Sequence, residues 1–337
     1  MGTRRGFLKT EKPPQGPLPG APGENDIELP ANGTMPRRPL GRTGVETSAI
    51  GLGGYHLGLA SSDTEAMRIV HFAQDQGVTF FDNCWDYNDG KSEERLGRAL
   101  AEGGRRAKAF VMTKLDGRTK AAAAQQLEQS LKRLKTDVID LVQIHEVIRM
   151  NDAERVFAAG GAIETLVEAQ KAGKLRFTGF TGHKSPAIHL HMLEVAKKNG
   201  YHFDTVQLPI NVLDAHYESF EKNVVPVLQR EGIAVLGMKP MGSGLILESG
   251  AVRADECLRY SLSAPTSVVI TGCDTMGVLK QALQVAYTFK PLSPQERQAL
   301  LARTTKAAAG GLFEQFKTTD RFDGTTQNPK WLEAAQL

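Results

Sequence analysis

Short apolar runs rich in β-branched and aromatic residues alternate with longer stretches of helical periodicity through most of this 337-residue chain. The runs at 49–54, 78–82, 109–113, 138–144, 175–180, 204–208, 233–238 and 267–271 read as buried parallel strands. Helices are expected at 63–76, 92–102, 120–135, 160–172, 185–199, 218–231, 252–263 and 275–288. Strict strand–helix alternation implies a parallel sheet. Eight such units over roughly 250 residues match the size of a (β/α)8 TIM barrel. An open doubly wound sheet would carry a G-x-G-x-x-G turn after its first strand, and GLGGYHLG does not have that spacing. Ahead of the barrel, PLGRTG and VETSAIGLGG read as a short hairpin. Beyond it, a helix opens at Ser293-Pro294, and the rest is irregular with scattered aromatics. That end is either a wrap facing solvent or a loop reaching over the active-site rim. The chain thus divides into a tail over 1–35, expected to be disordered, a barrel over 36–290 and a C-terminal helix with extension over 291–337.

Composition narrows the class. Hydrophobic residues make up 41% and charged residues 23%, which suits a soluble globular enzyme. The net charge of +3 and the lack of basic clusters among aromatics speak against a nucleic-acid partner. No apolar stretch approaches the roughly 20 residues of a membrane helix. Cys84, Cys257 and Cys273 are far apart, so disulfides and thiolate metal sites are not expected, and the cytoplasm is the simpler compartment. His189 and His191 would point in different directions on a helix, and no metal is expected. Thr3-Arg4-Arg5-Gly6-Phe7-Leu8-Lys9 looks like a twin-arginine export motif, but a Pro- and Gly-rich stretch replaces the apolar segment such a signal needs.

Three strands end on ionisable residues: VTFFD at Asp82, AFVMTK at Lys114 and VIDLVQIH at His145, with Tyr87 five residues past Asp82. In a parallel barrel these strand ends share one face, where catalytic groups sit. A lysine ammonium about 4 Å from a phenol at an effective dielectric near 20 contributes on the order of 4 kcal/mol toward the phenolate. It would bring the phenol down from about 10 by roughly 3 pH units at most, since desolvation opposes it. Asp82 is the natural counter-ion of Lys114, and His145 can donate a hydrogen bond to a carbonyl. The set delivers a proton to an oxygen gaining negative charge, which suits carbonyl reduction by a hydride-carrying cofactor. Taken singly, each residue also has a structural explanation as a cap, a solvated lysine, a rim histidine or a packed ring. Trp85 is expected to be a pocket wall. Glu146 either touches substrate or faces solvent.

FFDNCWDYNDGKSEERLGRAL resembles the signature of the aldo-keto reductases: Asp, five residues on to Tyr, then Ser-Glu and Leu-Gly. The Lys of VMTK and the His of DLVQIH match that family's two other catalytic positions. GKLRFTGFTGH, DTVQLPIN and GIAVLGMKPMGSG resemble its later strands and loop, so the likeness covers roughly 36–290. It implies an NAD(P)(H)-dependent oxidoreductase of small carbonyl substrates, a monomer or small homo-oligomer. Tyr87 would be the acid/base, tuned by Asp82 and Lys114, and His145 would orient substrate. The family's nicotinamide contacts map onto Thr181, Gln207, Gly182 and Met238. Gly182 replaces a usual asparagine, for which His183 could substitute, and Met238 replaces a usual aromatic ring. The coenzyme's phosphates are expected at Lys239, Gly242 and Gly244 and at Gly272 before a helix start. The resemblance implies NADP(H), whereas Asp274 near the adenine ribose would suit the free 2′-hydroxyl of NAD(H). Two rival readings remain: a cofactor-binding barrel acting as a regulatory or scaffold subunit, kept open by Gly182 and Met238, and a lyase or isomerase barrel using Lys114 as a Schiff base.

Overall fold

The computed structural model describes residues 20–333. An antiparallel hairpin, β1 (Arg37–Pro39) and β2 (Glu46–Ser48), leads into eight parallel strands. These are β3 (Ile50–Gly53), β4 (Phe80–Asp82), β5 (Phe110–Leu115), β6 (Ile139–Ile144), β7 (Leu175–Thr181), β8 (Thr205–Pro209), β9 (Ala234–Met238) and β10 (Val268–Gly272). They pair in chain order, and β10 pairs with β3 to close the barrel. The expected (β/α)8 architecture is therefore the observed one.

Helices form where the sequence caps them. Ser62, Thr119, Ser185 and Thr275 each accept a hydrogen bond from a backbone N–H of the helix they open. Ser293 and Glu296 make a reciprocal capping box at the helix Pro294–Thr304. The expected helix over 218–231 is two pieces, Phe220–Asn223 and Val225–Glu231. Pro226, lacking an N–H, starts the second piece and cannot continue the first. The short helices Gly54–Leu57 and Asp152–Phe157 had no periodic signal long enough to read.

The barrel interior is filled by Phe80, Phe110, Met112, Leu141, Leu236, Val268 and Ile270, with the Phe80 and Phe110 rings stacked at 5.2 Å. Leu40 joins this cluster from the hairpin. It packs with Phe80, Phe110, Ala234 and Val268, the first residues of four strands, so the hairpin stoppers the N-terminal mouth. The opposite mouth, at the strand C-termini, is left open for chemistry.

The twin-arginine-like motif lies outside the described residues. From Gly20 onward the N-terminal segment runs along the barrel. Glu24 pairs with Arg68 at 2.7 Å, and the Pro22 carbonyl lies against Gly277 so closely that a Cβ there would meet it at 1.9 Å. Among the described residues no helix is long and apolar enough to cross a membrane.

Candidate active site

Asp82 ends β4, Lys114 lies within β5 and His145 follows β6, so three neighbouring strands bring them to one rim. Lys114 Nζ lies 2.6 Å from Asp82 Oδ1, 2.7 Å from the Asn83 carbonyl and 3.2 Å from the Tyr87 hydroxyl. The Tyr87 and His145 rings meet edge to face at 5.8 Å. The four groups that the sequence spreads over 64 positions thus form one cluster.

The loop carrying Tyr87 is anchored by the rest of the signature. Asn88 and Asp89 take left-handed conformations, and Gly90, at φ 85°, opens the helix Lys91–Ala101. Ser92 Oγ donates to the Gly54 carbonyl at 2.6 Å, and buried Glu93 accepts from Thr113 Oγ1 at 2.6 Å. Arg133 bridges Glu93, at 3.2 Å, to the Trp85 carbonyl, at 2.8 Å. Ser92 and Glu93 therefore position the phenol from beneath.

Electrostatics corrects one expectation. The Tyr87 phenol is held well above its ordinary value, first by burial and then by the carboxylates of Asp82, Asp86 and Glu146. The charge of Lys114 is already committed to Asp82, so it does not make the phenol acidic. Burial likewise lifts Asp82 against the pull of Lys114 and lowers His145.

Above the cluster opens a cavity of about 1240 Å³, lined by Asp82, Tyr87 and His145 at one end and by Gly272, Asp274 and Val278 at the other. Thr181, Gln207, Met238, Lys239 and Gly244 line it too. Gln207 Oε1 is buried with no hydrogen-bond partner. Gly182 cannot carry a side chain, since a Cβ would sit 2.2 Å from the Val147 carbonyl. His183 lines the cavity but its Nε2 engages Asp323 at 3.0 Å, which commits it to the C-terminal segment rather than to the missing asparagine's role. Lys239, at φ 54°, extends between the Phe316 and Phe322 rings, and burial pushes its ammonium down to about 8.

One expectation about glycine changes. Gly272 lines the cavity, and His56 fills the space a Cβ there would take, at 2.1 Å. Gly242 faces Ile246 and the Phe313 carbonyl and is not among the cavity-lining residues, whereas Gly244 is.

Trp85 is not a cavity wall either. Its indole N–H donates to Gln129 at 2.6 Å and its ring supports Trp331 edge to face at 5.8 Å. Trp331 is the wall. It belongs to the C-terminal segment, which crosses the rim as the reaching loop. Glu146 clamps that segment by accepting from the backbone N–H groups of Gly324 at 2.9 Å and Thr325 at 2.7 Å. Scattered aromatics near the C-terminus were the one signal of this. At the other end, Pro22 and Asp26 line the cavity beside Asp274, for which the sequence held no sign. Asp86 and Asp116 were also missed. With Cys84 and His145 they place four donor atoms within 4.8 Å of one another; Cys84 and Asp116 lie within hydrogen-bond reach of His145 Nδ1, at 3.2 and 2.8 Å, while Asp86 Oδ1 has no hydrogen-bond partner.

A closed parallel barrel with paired ionisable groups and a long cleft at its C-terminal face defines a barrel oxidoreductase. The chain belongs to the aldo/keto reductase family, whose model matches residues 49–257. It is similar to the uncharacterized oxidoreductase YrpG of Bacillus subtilis, 29% identical over 226 residues, covering 61% of this chain and 67% of that one. It is similar also to the aldo-keto reductase yakc [NADP(+)] of Schizosaccharomyces pombe, 26% identical over 236 residues, 66% of this chain and 65% of the relative. Among solved structures, aldo-keto reductase AKR11C1 from Bacillus halodurans superposes with a TM-score of 0.66 at 24% identity, over 80% of this chain and 96% of its own.

Proposed function

We propose that this reductase converts a small aldehyde or ketone to its alcohol, with Tyr87 as the proton donor. The reading is carried by one observation: Lys114 reaches both Asp82 and Tyr87 from a buried position at the floor of the cavity. The carbonyl oxygen sits against the phenol and accepts a hydrogen bond from His145. Because the phenol holds its proton tightly, it releases that proton only as the oxygen gains negative charge. The Lys114 ammonium, 3.2 Å away, stabilises the phenolate left behind, and Asp82 keeps the ammonium in place. Trp331, Phe322 and the clamped segment exclude water from this end of the cavity.

The residues fit a nicotinamide dinucleotide, which when bound supplies the hydride. Gln207 Oε1, lacking a donor, suits the carboxamide N–H, with Thr181 beside it. Lys239 and Gly244 would hold the phosphates. Kinship, including the NADP(+) in the yeast relative's name, supports NADP(H). The lining at the far end supports NAD(H): Asp26 and Asp274 are acidic, and Arg253 is already paired with Asp255 at 2.8 Å. The partner is a small molecule, and the compartment that fits the reduced cysteines is the cytoplasm.

The test is steady-state oxidation of NADPH and NADH with a panel of aldehydes and quinones. Turnover that Tyr87→Phe abolishes supports the reading. Coenzyme that binds without being consumed overturns it in favour of a scaffold barrel.

A further inference from the structure

Asp116 follows β5 by one residue, is fully buried, and sits 2.8 Å from Nδ1 of His145. Its second oxygen, Oδ2, has no hydrogen-bond partner. His145 lines the cavity, and with Nδ1 occupied, Nε2 is the nitrogen left to face a substrate. A neutral imidazole carries one N–H. If Asp116 is ionised, that proton sits on Nδ1 to satisfy it, and Nε2 can only accept. If Asp116 is a carboxylic acid, its O–H donates to Nδ1, and the ring proton moves to Nε2, where it can donate to a carbonyl.

The surroundings bear on which form holds. Cys84 Sγ lies 3.2 Å from Nδ1 and Asp86 Oδ1 lies 3.6 Å from it, while Cys84 is also 3.6 Å from the Lys114 carbonyl. Glu93 and Glu146 add negative charge to the group, and Lys114 and Arg118 oppose it. Lys114 is engaged by Asp82 and Tyr87, and Arg118 by Asp152 at 3.0 Å and by the carbonyls of Asp116, His145 and Glu146. Burial pushes Asp116 up to about 7 and Asp86 up to about 6, and it lowers His145. A neutral acid beside a neutral imidazole is the state these directions favour.

We propose that Asp116 is a positioning residue for carbonyl reduction: as a carboxylic acid on Nδ1 of His145, it keeps the ring proton on Nε2, facing the substrate. The proposal rests on His145 being the carbonyl's hydrogen-bond donor. Loss of the Asp116 proton turns Nε2 into an acceptor, which suits an alcohol and not a carbonyl.

The experiment is 15N NMR of the histidine rings in the full-length protein at about pH 5.5 and about pH 8.5, with the His145 signal assigned by its loss in His145→Gln. In the wild type the proton should move from Nε2 to Nδ1 as the pH rises. In Asp116→Asn the amide N–H can donate to Nδ1, so the Nε2–H form should persist at both values. The rate of carbonyl reduction should fall about tenfold per pH unit above the wild-type transition and by less than about threefold over the whole span in Asp116→Asn. Cys84→Ala should follow the wild type, and it keeps the test open should Asp116→Asn not fold. A wild-type ring still protonated on Nε2 at the higher pH overturns the proposal, as does loss of the proton shift in Cys84→Ala. A proton shift without any carbonyl reduction would refute the proposed function and leave the role of Asp116 standing.

Discussion

In the proposed reaction, turnover depends on Tyr87. Its hydroxyl touches Lys114, while its ring is flanked edge to face by Tyr55 at 5.6 Å and by His145. Tyr87→Phe removes the proposed proton donor and little volume, so kcat should fall by about 10²- to 10⁴-fold. Coenzyme affinity, followed by protein fluorescence, should be unchanged. Asp274, which lines the same cavity, is the proposed determinant of how a 2′-phosphate is received. Asp274→Asn removes the repulsion and should raise the NADPH-to-NADH ratio of kcat/KM about tenfold, equivalent to about 1.4 kcal/mol. Steady-state kinetics with both coenzymes reads this directly, and an unchanged ratio would rule out Asp274 as a determinant.

At the scale of elements, two segments outside the eight strand–helix units cover the mouths of the barrel. The hairpin β1–β2 closes the N-terminal mouth, and the segment over 321–332 covers part of the other. The second is held by polar contacts: Glu146 with two backbone N–H groups, Asp323 with His183 and Lys184, and Arg149 with Thr325 and Thr326. Glu146→Ala leaves two N–H groups without their acceptor, a cost of about 1–3 kcal/mol. Hydrogen exchange over 321–332 should accelerate by roughly 5- to 100-fold, and KM should rise more than kcat falls. Exchange that stays at the wild-type rate would show that the aromatic contacts alone hold the segment.

For the molecule as a whole, the hairpin plug and the proposed chemistry sit at opposite mouths of the barrel. Leu40 is fully buried among the first residues of four strands, far along each strand from the catalytic rim. Leu40→Ala should cost about 2–5 kcal/mol by transfer and cavity terms, read from the denaturation midpoint. Coenzyme affinity and kcat of the folded variant should stay within about twofold of the wild type. A large loss of affinity would mean that the two mouths are coupled through the barrel core.

The sequence by itself determined the eightfold alternation, most helix starts and the order of Asp82, Tyr87, Lys114 and His145 on one rim. Those are local properties: a strand's apolar run, a cap at a helix start and a group at a strand's end are written in neighbouring residues. Tertiary structure alone decided that Trp331 and not Trp85 walls the cavity, that His183 turns to Asp323, and that Asp116 meets Nδ1 of His145. Each depends on side chains distant in the chain, whose meeting no short pattern encodes. The Tyr87 phenol makes the same point in electrostatics. One nearby lysine predicts a more acidic group, but burial and the surrounding carboxylates, summed over the folded molecule, reverse the sign.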